Sequence, residues 1–129
     1  METSEKVAYW LDVAQYDLET AQAMDRSGRY LYTAFMCQQA IEKVLKALHL
    51  QTFEQEAPHS HNLPYLAGLL QLELSEDHVR LLARLSAYYI EGRYPTYRQK
   101  LSQLLDAETS QVVLKQTGDV FTWLYSKVK

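Results

Sequence analysis

The segment around Arg93 combines cationic and aromatic side chains in a pattern suited to nucleotides or RNA. Arg93, Arg98 and Lys100 lie close together in the sequence, and four tyrosines accompany them: Tyr88, Tyr89, Tyr94 and Tyr97. Guanidinium and ammonium groups bind phosphate, and aromatic rings stack on bases. We therefore predict a nucleotide- or RNA-binding site at Arg93, Tyr94, Tyr97 and Arg98, with Arg93 and Tyr94 as the leading candidates.

The same residues also have a structural interpretation. A cation is favoured at the C-terminal end of a helix, so Arg93 could cap the last carbonyls of the helix that precedes it. The tyrosines could pack the end of a helical bundle and keep their hydroxyl groups in water. The sequence leaves both interpretations open.

A line of polar residues, Gln39, Glu42 and Lys46, follows one side of a helix at a spacing of three and four. Next to it runs an apolar face at the same spacing, formed by Cys37, Ile41, Val44, Leu45 and Leu48. Glu42 precedes Lys46 by four residues, which is the favourable order for an ion pair on a helix. Asp17 on the preceding helix is expected to reach Lys43 or Lys46. We predict that Asp17, Gln39, Glu42 and Lys46 fix the register of two helices or of two subunits.

The histidines and the cysteine give no sign of a metal centre or a nucleophile. His59 and His61 are two residues apart in a loop, without a cysteine or carboxylate cluster at ligand spacing. We predict no metal and no cofactor. His61 is expected to order the start of the helix that follows it, and Cys37 to be a buried structural thiol on an apolar face.

Length and composition favour one compact domain, residues 1–129. The chain has 129 residues, 47% of them hydrophobic, with four glycines and three prolines. Its net charge of −3 does not favour attraction of nucleic acid or anionic membrane by the surface as a whole. Neither a signal peptide nor an apolar run long enough to span a bilayer is present, so we expect a cytoplasmic protein without membrane contact.

Hydrophobic periodicity predicts an all-α, antiparallel up-and-down bundle of four to five helices. The predicted helices cover about residues 4–24, 30–50, 62–70 and 75–92, with a last helix from Asp106 or Thr109. Their predicted caps are Thr3 or Ser4 for the first, Asn62 for the third and Ser75 for the fourth. Residues 51–61 and 96–105 are predicted as a loop and a turn-prone stretch.

Four sequence strings together resemble the HEPN domains (higher eukaryotes and prokaryotes nucleotide-binding). The first helix contributes Trp10, Ala14, Asp17, Leu18 and Ala21; the second contributes Phe35, Gln39, Ala40, Glu42, Lys43, Lys46 and Ala47. The third string is His61-Asn62-Leu63, and the fourth is Tyr89 followed by Arg93-Tyr94-Pro95. The resemblance covers nearly the whole chain and implies a bundle of four to five helices that usually forms a homodimer.

The resemblance also implies two functional branches. Many HEPN proteins are metal-independent ribonucleases with an Arg followed after four to six residues by a His; others are partners of a minimal nucleotidyltransferase in toxin-antitoxin-like pairs. Arg93 matches the Arg, but no histidine follows it in residues 94–100. We therefore favour a nucleotide- or RNA-associated partner of a nucleotidyltransferase, with Tyr94 or Tyr97 as the residue that the transferase modifies.

Two alternatives remain at this point. One is an endoribonuclease with a degenerate motif, in which Tyr94, Tyr97 or His61 replaces the missing histidine. The other is a purely structural dimerisation module. Arg93 alone stays protonated near neutral pH, so it stabilises charge but does not shuttle protons.

Overall fold

A computed structural model describes residues 2–129, which form six α-helices and no strand. The helices are α1 (Thr3–Arg26), α2 (Tyr30–Phe53), α3 (Leu63–Leu69), α4 (Glu76–Glu91), α5 (Pro95–Leu104) and α6 (Ala107–Tyr125). The prediction of an all-α helical bundle is confirmed. Only three residues connect α1 to α2, and the two helices pack along each other, so they run antiparallel.

Two of the three predicted caps, Asn62 and Ser75, are confirmed, and Asp106, one of the two predicted starts of the last helix, caps α6. The side chains of Asn62, Ser75 and Asp106 accept hydrogen bonds from backbone N–H groups in the first turns of α3, α4 and α6, at 3.0, 3.1 and 2.8 Å. The cap predicted for α1 is wrong. Glu2 takes that position and makes no side-chain capping hydrogen bond.

The stretch 96–105, predicted as turn-prone, is largely helical. The structure therefore has six helices, where four to five were predicted. Pro95 has two effects. It holds Tyr94 in an extended conformation, which ends the preceding turn, and it occupies the first turn of α5, where its missing N–H costs nothing. Leu101 and Leu105, four residues apart, are then buried against Leu31 and Ala34.

The core is organised around α2, which contacts each of the other five helices. Its largest fully buried apolar residues, Ile41 and Leu45, meet Leu82 and Leu85 of α4 and Leu124 of α6 in one cluster. The spacing of Val79, Leu82, Leu85 and Tyr89 in the sequence predicts an apolar stripe on α4, and it is wrong at Val79. This residue is 46% exposed, and Leu81 faces the core beside Leu82 instead. None of the helices in residues 2–129 combines the length and apolarity that a membrane crossing requires.

Candidate functional site

The turn between α4 and α5 carries Arg93 and depends on a glycine for steric reasons. Gly92 ends α4 with φ −65°, a backbone conformation that any residue adopts. The aromatic ring of Phe35 from α2 packs directly on it, and a Cβ at this position would overlap Cζ and Cε1 of that ring. Gly92 therefore lets α2 and the end of α4 approach closely. This close approach sets the position of Arg93, the next residue in the chain.

Four rings from three segments form a continuous aromatic row at this end of the bundle. The row consists of Tyr32 and Phe35 from α2, Tyr89 from α4 and His61 from the loop before α3. Consecutive ring centroids are 5.7 Å apart for Tyr32 and Phe35, 6.1 Å for Phe35 and Tyr89, and 4.7 Å for Tyr89 and His61. Phe35 and Tyr89 are half-buried, whereas Tyr32 and His61 are exposed. The aromatic row thus offers ring surface both to its neighbours and to a ligand.

Two arginines border the aromatic row. The guanidinium carbon of Arg93 lies 5.4 Å from the centroid of the Tyr89 ring, and that of Arg98 lies 5.6 Å from the Tyr32 ring. Arg98 also donates a hydrogen bond of 2.7 Å to the Tyr32 hydroxyl. Both arginines are exposed. Their positions over ring faces are cation–π contacts, which hold the guanidinium planes while leaving donors free for an anion.

The structure separates the other tyrosines of the segment from the aromatic row. Tyr94 and Tyr97 are 58% and 52% exposed and pack edge to face against each other, with centroids 6.4 Å apart. Tyr88 accepts a hydrogen bond from Arg84 at 2.6 Å. Of the four predicted binding residues, Arg93 and Arg98 therefore contact the row, and Tyr94 and Tyr97 form a separate exposed pair beside it.

A polar network extends from α1 across α2. Lys43 donates to Asp17 at 2.8 Å, so the predicted contact from Asp17 is made to Lys43. Lys43 also donates to Gln39 at 2.9 Å, and Gln39 in turn donates to Gln38 at 2.7 Å. Gln38, which the sequence did not single out, is completely buried.

Glu42 is the buried end of this network, with 2% of its side chain exposed. Its Oε1 accepts hydrogen bonds from Gln38 at 3.0 Å and from His61 at 2.7 Å, while Oε2 accepts from Lys46 at 3.0 Å. The predicted Glu42–Lys46 ion pair is confirmed. Burial by itself raises the pKa of Glu42, but the hydrogen bonds from Gln38, His61 and Lys46 and the charge of Lys46 together outweigh burial and lower it. Glu42 is therefore ionised at neutral pH.

His61 joins this polar network to the aromatic row. Its Nδ1 faces Glu42, and its ring packs against Tyr89. Its carbonyl oxygen accepts from Gln38 at 3.1 Å. The expectation that the His61 ring orders α3 is thus wrong, because Asn62 caps that helix and the His61 ring binds α2.

His49, His78 and the thiol of Cys37 lie away from this site. His49 packs against Phe53 and His78 against Trp123, each with centroids 4.7 Å apart. Within residues 2–129, no three His, Cys, Asp or Glu side chains are arranged to hold a metal ion. Cys37 is fully buried, and burial raises its pKa to about 12. The thiol is therefore protonated and shielded from solvent.

Sequence reasoning missed half of the site. The sequence indicates a register role for Glu42 and offers His61 only as a substitute for the missing histidine. It does not place Tyr89 and Phe35 in the binding site. Two spacings carried a usable signal: Tyr32 and Phe35 are three apart on α2, and Tyr89 precedes Arg93 by four.

Three solved structures have a fold similar to that of this protein. The structure is similar to that of the protein TT1696 from Thermus thermophilus, with a TM-score of 0.80 and 27% identity over 95% of this chain and 98% of that chain. It is also similar to ST0689, an archaeal HEPN homologue, with a TM-score of 0.76 and 19% identity over 95% and 98% of the two chains. An HEPN domain protein from Thermotoga maritima (tm0613) matches with a TM-score of 0.64 and 24% identity over 93% and 99%.

Sequence comparison identifies the family. No curated protein matches the chain significantly. The sequence model of the HEPN domain matches residues 7–128, which is nearly the whole chain. The protein belongs to the HEPN domain family.

Proposed function

We propose that the protein binds single-stranded RNA or free nucleotides on the aromatic row. The observation that carries this proposal is the pairing of the row with two exposed arginines, Arg93 over Tyr89 and Arg98 over Tyr32. Base stacking on an aromatic side chain contributes about 1 to 3 kcal/mol per base and tolerates any sequence. The arginines supply phosphate contacts that the net charge of −3 does not provide elsewhere.

The geometry suits a single nucleic-acid strand more than a free mononucleotide. The two exposed rings, Tyr32 and His61, stand at opposite ends of the row, so a strand that follows the row places a base on each of them. The two arginines contact different rings of the row, so they are placed to meet different phosphates. A mononucleotide uses one ring and one arginine and binds more weakly.

Fluorescence anisotropy with a labelled single-stranded RNA tests this proposal. Arg93→Ala removes one charge-assisted contact, so binding should weaken by about 1.5 to 3 kcal/mol. The slope of log K against log salt should also become shallower by about 0.7, the value for one phosphate of a single strand.

Arg80→Ala is the matched control for this experiment. Arg80 is likewise an exposed arginine, but it lies near the start of α4 and pairs with Asp77 at 2.6 Å. Its removal should leave affinity nearly unchanged. Equal affinities of the Arg93→Ala and Arg80→Ala variants would reject the aromatic row as the binding site. Competition with unlabelled mononucleotides distinguishes nucleotide binding from strand binding.

A second function concerns the exposed tyrosine pair. Tyr94 and Tyr97 present their side chains to solvent immediately after Arg93, which supports the proposal that a minimal nucleotidyltransferase modifies one of them in a toxin-antitoxin-like pair. The transferase would release pyrophosphate from a nucleoside triphosphate and leave the nucleotidyl group on the tyrosine oxygen. Intact-mass analysis of protein isolated from its own cells should then show an increase of one nucleoside monophosphate minus one water, mapped to Tyr94 or Tyr97. Exclusively unmodified protein in cells that express a minimal nucleotidyltransferase together with it would contradict this role.

The third element of the proposal is a homodimer. Helix α2 is enclosed by the other five helices, so it offers little surface to a second subunit. The end of α4 and α5 instead expose Ile90 and Leu104, at 47% and 70%. We place the dimer contact on this surface. Light scattering should show a dimer that Leu104→Glu dissociates, and an unchanged dimer in that variant would exclude this surface.

A further inference from the structure

A cleft of about 450 Å³ opens between the first half of α4 and the second half of α6. Leu81 of α4 and Val120 of α6 line it and are each 3% exposed, so its floor is apolar. Three exposed charged residues, Asp77, Arg80 and Asp119, line it as well. Pockets for small ligands measure roughly 300 to 1,000 Å³ and combine an apolar lining with a few polar groups. The cleft therefore has the size and the lining of a small-molecule site, and no ring of the aromatic row belongs to it.

One positive charge of this cleft is left without a negative partner. Asp77 accepts a hydrogen bond from Arg80 at 2.6 Å, and Asp119 lies 3.7 Å from Lys115. The half-buried Arg84 also lines the cleft, but within residues 2–129 it forms no ion pair. Its guanidinium group is therefore the charge that an anion in the cleft would neutralise.

A tyrosine holds Arg84 in place. The Nε atom of Arg84 donates to the Tyr88 hydroxyl at 2.6 Å, and its guanidinium carbon lies 5.6 Å from the centroid of the Tyr88 ring. These contacts fix the guanidinium plane and leave the donors of both terminal nitrogens to a ligand. Two parallel N–H groups match the two oxygens of a carboxylate.

His78 supplies an unused hydrogen-bonding group at the same cleft. It lines the cleft, and its ring packs against Trp123 with centroids 4.7 Å apart. Its Nδ1 atom is buried and makes no hydrogen bond within the part of the chain that the structure describes, residues 2–129. Most buried polar atoms in folded proteins have a partner, so an orphaned one requires an explanation. A ligand that supplies this partner is an explanation that fits a residue lining a cleft.

We propose that this cleft binds a small monocarboxylate with an apolar body. The carboxylate pairs with Arg84, the apolar body covers Leu81 and Val120, and His78 forms a hydrogen bond with the ligand. This inference does not depend on the proposed binding of RNA, because the cleft and the aromatic row with its two arginines share no residue.

The charges of the cleft limit its ligand to a single negative charge. Arg84 offers one unpaired cation, whereas Asp77 and Asp119 repel any further negative charge. A phosphate monoester carries about 1.5 to 2 negative charges at pH 7, and a nucleic-acid strand carries more. Both are therefore disfavoured at this site.

The test is an NMR titration of the full-length protein with three probes that share an apolar ring: benzoate, phenyl phosphate and benzyl alcohol. The chain has two tryptophans, whose indole N–H signals are separate reporters. Benzoate at millimolar concentration should give a saturating shift of the Trp123 signal, because Trp123 packs against His78. The signal of Trp10 on α1 should stay unchanged. Phenyl phosphate should bind more weakly than benzoate, and benzyl alcohol should produce no saturating shift.

Arg84→Gln removes the charge that the carboxylate requires, so its affinity for benzoate should fall at least about tenfold. Arg26→Gln is the control, because Arg26 is an exposed arginine in the last turn of α1 and does not line the cleft.

His78→Phe keeps an aromatic ring beside Trp123 and removes both ring nitrogens. Its affinity for benzoate should fall as well. Its urea unfolding midpoint should be no lower than that of the wild type, because the substitution removes the orphaned buried nitrogen.

Each probe and each variant has a result that contradicts the proposal. Absence of a saturating Trp123 shift with benzoate overturns it. Equal affinity for benzoate and benzyl alcohol overturns the assignment of an anion, and tighter binding of phenyl phosphate overturns the limit to a single negative charge. Equal benzoate affinities of Arg84→Gln and Arg26→Gln exclude Arg84 as the cation. A His78→Phe variant that binds benzoate as tightly as the wild type removes His78 from the site.

Discussion

Nδ1 of His61 lies 2.7 Å from Oε1 of Glu42, and this contact joins two parts of the molecule that the sequence separates. On one side is the polar network of α2, which reaches Asp17 of α1 through Lys43. On the other is the aromatic row with Arg93. The residues that hold the helices in register therefore also support the candidate site.

Acid should destabilise the protein partly through Glu42. The pKa of Glu42 in the folded state lies below its ordinary value of 4.5. Its ionisation therefore contributes stability that is fully present above about pH 4.5 and is lost as pH falls through the folded-state pKa. Urea unfolding between pH 3 and 7 measures this contribution.

Glu42→Gln isolates the effect. The variant should lose about 3 kcal/mol at pH 7, because Lys46 keeps its charge without a buried partner. The difference in unfolding free energy between wild type and variant should shrink as pH falls below 4.5. A difference that stays constant down to pH 3 would show that folding leaves the pKa of Glu42 unchanged, so that its ionisation adds no stability.

Asp17→Ala should lower stability without weakening RNA binding. The Asp17–Lys43 ion pair is mostly buried, with 11% and 15% of the two side chains exposed, so removing Asp17 leaves an ammonium group with fewer partners. We expect a loss of about 1.5 to 3 kcal/mol. Thermal unfolding and anisotropy should be measured on the same sample. Normal stability with reduced RNA affinity would instead place Asp17 in the binding site.

The double variant Asp17→Ala, Lys43→Met checks the cause of that loss. If the cost arises from the unpaired lysine, removing its charge as well should recover part of the stability. If the double variant loses as much unfolding free energy as the two single variants lose together, the two residues act independently.

Most helices could be predicted from the sequence because the signals that define a helix are local. Apolar spacing of three and four, Asn62 and Ser75 as caps, and the Glu42–Lys46 pair all depend on residues within one helix. The sequence does not indicate α5 because Pro95 both ends the preceding segment and begins the next, and its helix-ending effect is the stronger local signal. Val79 was misplaced because its spacing fits the core face as well as that of Leu81.

The site was harder to predict because it is assembled from contacts across segments. Phe35 and Gly92 are far apart in sequence, and only the packing of α2 against α4 brings them together. The same holds for His61, whose loop position carries no periodic signal. Arg93 and Arg98 were identified because composition alone marks a cationic, aromatic segment.

Gly92→Ala should damage both stability and RNA binding. The new methyl group has to displace the Phe35 ring, and such overpacking costs about 1 to 3 kcal/mol. Moving Phe35 also disturbs its contact with Tyr89, so binding to the aromatic row should weaken.

Gly118→Ala is the matched control, because a Cβ at that position in α6 meets no atom within 4 Å. Alanine favours the helix by about 0.5 to 1 kcal/mol over glycine, so this variant should be more stable than wild type. Urea unfolding compares the three proteins. Equal stability of the Gly92→Ala variant and wild type would mean that the turn adjusts without cost.

Cys37 should resist alkylation until the protein unfolds. Its thiol is completely buried on α2, and burial raises its pKa to about 12, so almost no thiolate exists at pH 8. Mass spectrometry after iodoacetamide treatment should show unmodified protein in buffer and complete modification in concentrated urea. Because modification requires opening of the core, its rate at intermediate urea concentrations should follow the unfolded fraction, and Glu42→Gln should accelerate it. Rapid alkylation of the stable wild-type protein in buffer would contradict the packing of α2 at the centre of the bundle.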